Sequence, residues 1–187
     1  MKTRSISAAA VLLMGLSTAA EAASWTVDPA KSQLGFTGQQ TGAPFTGRFK
    51  SWTAAIDFDP AHPEAGHVSA AIDIASASTE DPQKDEALPT PDWFDATQFG
   101  KATFEATGFT PKGGDAFETS GKLTLRGVSK AVVLPFTLTI TGDQAHAVGH
   151  AKLMRTDFGV GQGSWASADY VALDVTVDVD LVATRKP

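Results

Sequence analysis

The clearest pattern along the chain is a strict alternation of apolar and polar positions between Val171 and Leu181. The odd positions carry Val or Leu, and the even positions carry Ala, Asp or Thr. Because successive side chains of a β-strand point to opposite faces, this pattern predicts a strand with one apolar and one solvated face. The eleven residues would span roughly 35 Å, about twice the length of a typical strand. A strand this long requires long partners.

Seven further segments place apolar side chains on one face and are predicted to be those partners. They are residues 33–40, 45–59, 67–76, 101–109, 116–125, 132–141 and 145–155. In residues 45–59 the apolar face changes from odd positions, such as Phe49, to even positions, such as Ile56. The alternation therefore slips once, near Ser51 and Trp52. A β-bulge there would bend the strand, as the closure of a small barrel requires.

The alternation stops between residues 79 and 99. This stretch contains three prolines and a charged cluster, followed by Trp93 and Phe94. It predicts a short helix and a turn that cap the structure between the third and fourth strands.

Eight strands joined mostly by short turns predict an all-β fold, an antiparallel up-and-down meander. A two-sheet sandwich is the alternative. A closed barrel is favoured because every strand has a single apolar face and closure removes the exposed edges. An eight-stranded barrel is either filled by its own side chains or just wide enough for one small ligand.

The N-terminus has the features of a secretory signal peptide. Lys2 and Arg4 precede an apolar run over residues 6–16, and Ala20-Glu21-Ala22 supplies the small-x-small pattern of a signal-peptidase site. The apolar run is too short to cross a bilayer core of about 30 Å as a helix. We therefore expect cleavage to release one periplasmic domain, residues 23–187.

Removal of residues 1–22 changes the formal net charge from −6 to −7, since two basic residues and one acidic residue are lost. An acidic surface repels nucleic acid and anionic lipid head groups, so neither is an expected partner. The chain contains no cysteine. The domain must therefore be stabilised by its core and its sheet hydrogen bonds, without disulfides.

The predicted inner face of the barrel is almost wholly apolar and is the candidate binding surface. Small inward residues, among them Ala102, Ala106, Gly149 and Ala151, alternate with large ones. Two interpretations are open: a packed core, which is the usual case, and an elongated tunnel that would take a long hydrocarbon. The residues assigned to ligand binding are Phe36, Phe49, Trp52, Ile56, Phe58, Ile72, Ile74, Trp93, Phe94, Phe104, Leu125, Phe136, Leu138, Leu153, Arg155, Phe158, Leu173 and Val175.

Arg155 is the charged member of this set. It shares the inward parity of Leu153 at the end of its strand. Its cation could meet the head group of a bound lipid at the mouth of the barrel. The alternative is an ion pair with Asp157 or Asp92 that holds the cap.

No other group of residues makes a case for catalysis or for a metal site. His146 and His150 share the outer face of one strand, and three aspartates between Asp174 and Asp180 share that of another. Solvated sheet faces explain both, because a flat strand does not converge the ligands that Zn²⁺ or Ca²⁺ requires. No serine has a nucleophile-elbow context. The glycines between Gly159 and Gly163 do not join a strand to a helix, as those of a phosphate-binding loop do.

Six segments in order carry a resemblance to a known family. They are Trp25-Thr26-Val27-Asp28-Pro29, Gly47-Arg48-Phe49 with Ile56-Asp57-Phe58-Asp59, Lys84-Asp85-Glu86-Ala87-Leu88, Pro91-Asp92-Trp93-Phe94-Asp95, the run from Gly121 to Lys130, and Arg155-Thr156-Asp157-Phe158-Gly159. In this combination the mature chain resembles the YceI-like family of periplasmic polyisoprenoid-binding proteins. The resemblance implies an extended, lipocalin-like eight-stranded barrel with a polyprenyl chain in its lumen, such as an isoprenoid quinone or a polyprenyl phosphate. It implies no established enzyme activity.

The departures from the family pattern concern the head group of the ligand. Lys31 and Ala87 stand where many members have histidine, and residues 39–45 replace a more hydrophobic stretch. Residues 42–49 are similar to those of members associated with b-type membrane cytochromes, which favours a quinone.

The first hypothesis is therefore a periplasmic carrier or reservoir of an isoprenoid lipid, without enzyme activity and without a cofactor. One alternative is an accessory enzyme or redox partner that acts on an isoprenoid quinone with a membrane b-type cytochrome. The other is a filled barrel that serves as an interaction domain. Candidate partners besides the lipid are that cytochrome and a second copy of the chain in a homodimer.

The signal-peptide assignment makes a testable prediction. The mature protein is expected to begin at Ala23, because the small-x-small pattern ends at Ala22. Intact-mass measurement of the protein from a periplasmic fraction checks it. A mass that retains residues 1–22 would show the assignment to be wrong.

Overall fold

A computed structural model describes residues 23–187, so the predicted signal peptide lies outside the described part of the chain. The strand segments are β1 (Ser24–Val27), β2 (Gln33–Gln40), β3 (Ala43–Phe49), β4 (Trp52–Asp57), β5 (His67–Asp73), β6 (Ala77–Ser78), β7 (Lys101–Thr107), β8 (Thr110–Gly113), β9 (Ala116–Leu125), β10 (Val128–Thr141), β11 (Gln144–Met154) and β12 (Asp174–Arg185). The α-helix is α1 (Pro82–Ala87), and 3₁₀ turns lie at Pro63–Ala65, Ile74–Ser76, Arg155–Phe158 and Gly163–Trp165. Within residues 23–187 no helix is long and apolar enough to cross a membrane.

The twelve segments combine into eight strands of one closed antiparallel barrel. The pairs β1/β2, β3/β4, β5/β6 and β7/β8 are each two halves of an interrupted strand, because both halves pair with the same neighbouring strand. The ring closes at β12, which pairs with β11 along one edge and with β1 and β2 along the other. The predicted eight-stranded barrel is confirmed.

The predicted slip in the second strand is present as the break between β3 and β4. The strand halves end at Phe49 and resume at Trp52. The neighbouring strand breaks beside it, where the turn Ile74–Ser76 separates β5 from β6. Two adjacent breaks bend the sheet sharply, which is how a small barrel turns a corner.

The last strand differs from its prediction in position. It runs Asp174–Arg185 rather than over residues 171–181. Before Asp174 the chain forms only an isolated bridge, Val171 with Gln40, and the carbonyl oxygens of Val171 and Ala172 accept hydrogen bonds from the side chain of Arg155. Its end is later because β1 supplies a partner as far as Arg185.

Two glycines fix the large aromatic side chains of the inner wall. A Cβ on Gly47 would lie 2.2 Å from the Phe36 ring, and one on Gly121 would lie 2.4 Å from the Phe104 ring. Each ring therefore rests directly on the backbone of the neighbouring strand. This packing holds the ring in one orientation against the wall.

The predicted helical cap is present between the third and fourth strands. Pro82 occupies the first turn of α1, and the Asp81 carboxylate caps the helix by accepting from the N–H groups of Gln83 and Lys84. Asp85 ties the helix to the barrel. Its carboxylate accepts from Thr79 N–H at 2.6 Å and from the hydroxyl groups of Thr79 and Ser78 at 2.8 Å. These bonds, chiefly the one from Thr79 N–H, hold the pKa of Asp85 below its usual range.

Replacement of Asp85 tests how the cap is attached. Asp85→Asn is expected to lower the free energy of unfolding at neutral pH by about 1–2 kcal/mol, because a carboxylate accepts these bonds better than an amide. Because the pKa of Asp85 is lower in the folded state, its ionised carboxylate stabilises the fold at any pH above the unfolded pKa of about 3.9. This stabilisation is lost as the pH falls through the folded pKa. The difference between wild type and variant, measured by urea unfolding, should thus be full at neutral pH, shrink as the pH falls below the unfolded pKa and disappear below the lowered folded pKa.

The matched control is Glu86→Gln, which neutralises an exposed carboxylate in the same helix. It should leave the unfolding free energy nearly unchanged. Equal losses for both variants would contradict a specific role for Asp85.

Candidate functional site

The barrel encloses a cavity of about 300 Å³. This is about twice the volume of an engineered 150 Å³ apolar cavity that binds benzene. Seventeen of the eighteen residues assigned to ligand binding from the sequence line it. Leu173 does not; it lies just before β12, where its carbonyl oxygen accepts from the N–H of Arg155.

The inner face of β12 shows that the lumen is not filled by side chains. Val175, Val177, Val179 and Leu181 all line the cavity, and each is only half-buried although it points into the barrel. An apolar side chain packed in a core is normally buried on all sides. These four residues face open volume, which favours the tunnel over the packed core.

One end of the barrel is closed by interlocked aromatic rings. The ring of Phe58 meets those of Phe109 and Phe117 edge to face at 5.2 and 5.6 Å, and Phe136 packs on both of these partners. Trp25 completes this end: its indole N–H donates to the Phe58 carbonyl at 2.9 Å, and it is 3% exposed. Edge-to-face contacts of this kind fix ring positions.

The other end is covered by the cap and by the loop that follows β11. The cap contributes Leu88, Trp93 and Phe94 to the cavity wall, and the loop contributes Val160 and Val171. All of them except Trp93 are buried.

Arg155 lies at this covered end, lines the cavity and is 4% exposed. Its guanidinium donates only to backbone carbonyl oxygens: Nε to Ala172 at 2.9 Å, Nη1 to Val160 at 2.9 Å, and Nη2 to residues 165, 167 and 171 at 2.7–3.0 Å. Neither Asp157 nor Asp92 pairs with it, so the predicted ion pair is wrong. Burial lowers the pKa of Arg155 from its ordinary value.

The carbonyl cage determines what Arg155 can do. Its five N–H donors are all taken, if the longer Nη1 contact to Gly161 at 3.5 Å is counted. A head group could receive a hydrogen bond from it only if a loop carbonyl were released. Arg155 therefore holds the loop that follows β11. The sequence places Arg155 correctly at one end of the barrel, but its partners are backbone carbonyl oxygens and not carboxylates.

The rest of the lining is nearly free of polar groups. Thr119 is a polar lining residue, but its hydroxyl donates to the Gly108 carbonyl at 2.8 Å. The histidines predicted to face outward do so and pair across strands with carboxylates, His146 with Asp180 and His150 with Asp178, each at 2.7 Å. Among the residues that the structure describes, no group of three or more such side chains could hold a metal ion.

Comparison with known proteins decides the family. Residues 25–183 match the YceI-like domain. The chain belongs to the YceI-like family. The resemblance carried by the six sequence segments is thereby confirmed.

Two curated relatives of this YceI-like protein carry only a family designation. A UPF0312 protein of Azotobacter vinelandii is 30% identical over 138 residues, which is 71% of this chain and 72% of the relative. UPF0312 protein VPA0850 of Vibrio parahaemolyticus is 25% identical over 187 residues, 95% of this chain and 98% of the relative.

Solved structures share the barrel. Burkholderia cenocepacia BcnA superimposes with a TM-score of 0.82 at 35% identity, over 84% of this chain and 99% of its own. The Campylobacter jejuni YCEI protein gives 0.65 at 27% identity, over 75% and 85%. A polyisoprenoid binding domain from Saccharophagus degradans gives 0.68 over 87% and 98%, and its 16% identity shows a shared fold alone.

Sequence reasoning missed several residues of the YceI-like lumen. Leu88 and Val160 cover one end, and they lie in proline- or glycine-rich stretches where a period of two cannot identify an inward position; Val171, which also lines this end, is the first apolar position of the alternation but is absent from the predicted binding residues. Trp25 and Phe109 close the other end from short segments beside turns. Isolated apolar residues in these segments indicate burial, but the sequence does not show whether their side chains point into the barrel.

The small inward residues behave differently from one another. Ala70 lines the cavity and is half-buried, whereas Ala106 is 4% exposed and lies outside the lining, against Gly121. Ala106→Leu should overpack the wall and cost about 1–3 kcal/mol. Ala70→Leu should cost clearly less, because its added atoms enter the cavity. Urea unfolding measures both, and equal losses would mean that Ala70 has no free volume beside it.

Proposed function

We propose that this YceI-like protein holds the polyprenyl chain of an isoprenoid quinone in its lumen, as a carrier or reservoir in the periplasm. The observation that carries the proposal is the lining itself. Of the described residues that border the cavity, Arg155 is the one with an ionisable side chain, and its donors are occupied.

The shape and chemistry of the cavity suit a long hydrocarbon. Inward residues of β12 line it from Val175 to Ala183, a strand length of about 26 Å. A ligand with buried polar groups would lose their hydration without new partners, at a cost of roughly 2–7 kcal/mol per group. A polyprenyl tail has no such groups and gains about 25 cal/mol for each Å² removed from water.

Other observations support the finer points of the proposal. The Saccharophagus degradans barrel is named a polyisoprenoid binding domain. The quinone rests on the similarity of residues 42–49 to members associated with b-type cytochromes. The periplasm rests on the signal-peptide pattern of residues 1–22.

The alternatives receive less support. The cavity weighs against a filled barrel that acts only as an interaction domain. An accessory enzyme would need an acid, a base or a nucleophile at the quinone, and the described lining offers no acid–base pair. The b-type cytochrome and the homodimer belong to the proposal only as candidate partners.

Extraction of the bound lipid tests the proposal. Protein purified from a periplasmic fraction is extracted with organic solvent, and the released molecules are identified by mass spectrometry. An isoprenoid quinone is expected at a substantial molar fraction. Ala70→Leu should lower this occupancy while the fold is retained, because the larger side chain occupies the lumen.

The matched control is Ala71→Leu, which adds the same atoms to the next residue of β5, on the outer face. It should keep the wild-type occupancy. An extract without isoprenoid lipid, or equal occupancy in both variants, would contradict the proposal.

A further inference from the structure

The loop that covers one end of the lumen has an unusual backbone. We define residues 159–173 as the strap. Gly159, Gly161 and Gly163 occur at alternate positions at its start, and all three have positive φ, at 67°, 82° and 58°. Unlike the glycines of a phosphate-binding loop, these three do not join a strand to a helix. Glycine adopts such angles at little cost and can leave them at little cost.

Backbone hydrogen bonds attach the two ends of the strap, from Gly161 and Gln162 to Asp92 and from Ala172 to Gln39, whereas its exposed middle is attached at few points. Residues 162–170 are exposed apart from the half-buried Trp165. The two N–H groups of Arg155 Nη2 are shared among the carbonyl oxygens of Trp165, Ser167 and Val171, at 2.7, 3.0 and 2.8 Å. Release of this guanidinium group would break the hydrogen bonds that hold Trp165 and Ser167, while backbone bonds at the two ends of the strap would remain.

The inner side of the strap is cavity wall. Val160 and Val171 line the lumen. The Trp165 ring packs 5.5 Å from that of Trp93, itself a lining residue, while Tyr170 beyond it is 57% exposed. Movement of the strap would therefore open the lumen to the outside. The opposite end offers no comparable segment, since the rings around Phe58 interlock there.

We propose that the strap is a gate to the lumen and that Arg155 is the positioning residue that latches it. The inference deepens the proposed function, because the molecule that passes the gate is the isoprenoid ligand of that proposal. Opening breaks the bonds to the guanidinium together, since they converge on one rigid planar group. The glycines absorb the change in backbone angles, as hinge residues do.

Gly161 offers a way to loosen the latch without removing the buried charge. A Cβ built on Gly161 would lie 2.0 Å from Nη1 of Arg155, so Gly161→Ala must displace the guanidinium. Gly163→Ala is the matched control, because it adds the same methyl group at a positive φ with no atom within 4 Å of it. Both variants bear the same kind of backbone strain, and only the first disturbs Arg155. Trp165→Ala is a second test variant that weakens the packing of the strap on Trp93.

The first measurement is amide hydrogen exchange of the full mature protein, which needs no ligand. The N–H group of Gln162 donates to the Asp92 carbonyl, and that of Ala172 donates to the Gln39 carbonyl. Their exchange should accelerate about tenfold in Gly161→Ala, the effect of losing one charge-assisted hydrogen bond. It should change little in Gly163→Ala, and the amides of β10 and β11 should keep their protection in both.

The second measurement is the rate of ligand passage, with ubiquinone-2 as the probe. Trp25, Trp52 and Trp93 line the cavity, so quenching of tryptophan fluorescence in a stopped-flow instrument follows uptake and release. A gate controls both directions. Gly161→Ala and Trp165→Ala should raise the uptake and release rates by the same factor, about tenfold, with the Kd nearly unchanged.

The outcomes separate the two proposals. Faster release with unchanged uptake would mean that the strap is only part of the cavity wall. Unchanged hydrogen exchange in the strap would mean that Arg155 does not hold it closed. Either result would contradict the proposed gate. If wild-type protein does not bind ubiquinone-2 or any extracted isoprenoid, the proposed function fails. Hydrogen exchange then still decides whether the strap opens.

Discussion

Lateral closure of the sheet at β12 is the constraint on which the rest of the structure depends. This strand pairs with β11 on one edge and with β1 and β2 on the other, and this closure encloses the volume that its inner residues face. Because side chains alternate along a strand, closure in this register sends Val175 through Ala183 into one lumen. A shift of one residue would put Asp178 and Asp180 inside.

The two ends of the lumen are closed by different kinds of interaction. At one end, aromatic rings around Phe58 pack directly on each other. At the other, an apolar cover is held by a buried cation whose partners are backbone carbonyl oxygens. A packed apolar cluster has no discrete alternative state. A cover held by directional bonds to one group can be released as a unit, and this difference is the basis of the proposed gate.

The parts of the structure that follow a simple period were predictable from the sequence. Alternation located part of each of the eight strands, the bend near Ser51 and most of the cavity lining, but not the strand halves β1 and β8. It failed where another interaction replaced strand pairing. The start of β12 was misplaced: before Asp174 the chain forms only an isolated bridge, and Arg155 binds the carbonyls of Val171 and Ala172. The partners of Arg155 were also misjudged, since opposite charges in the sequence suggest an ion pair, whereas a cage of carbonyls leaves no sequence signature.

The central claim is that the lumen holds an extended apolar chain, and a crystal structure of the protein as purified from the periplasm tests it most directly. Continuous elongated density is expected inside the barrel, between the aromatic end around Phe58 and the strap, in contact with Phe104 and Val177. Inner side chains that fill the lumen of such a crystal, or a lipid bound on the outer face, would contradict it.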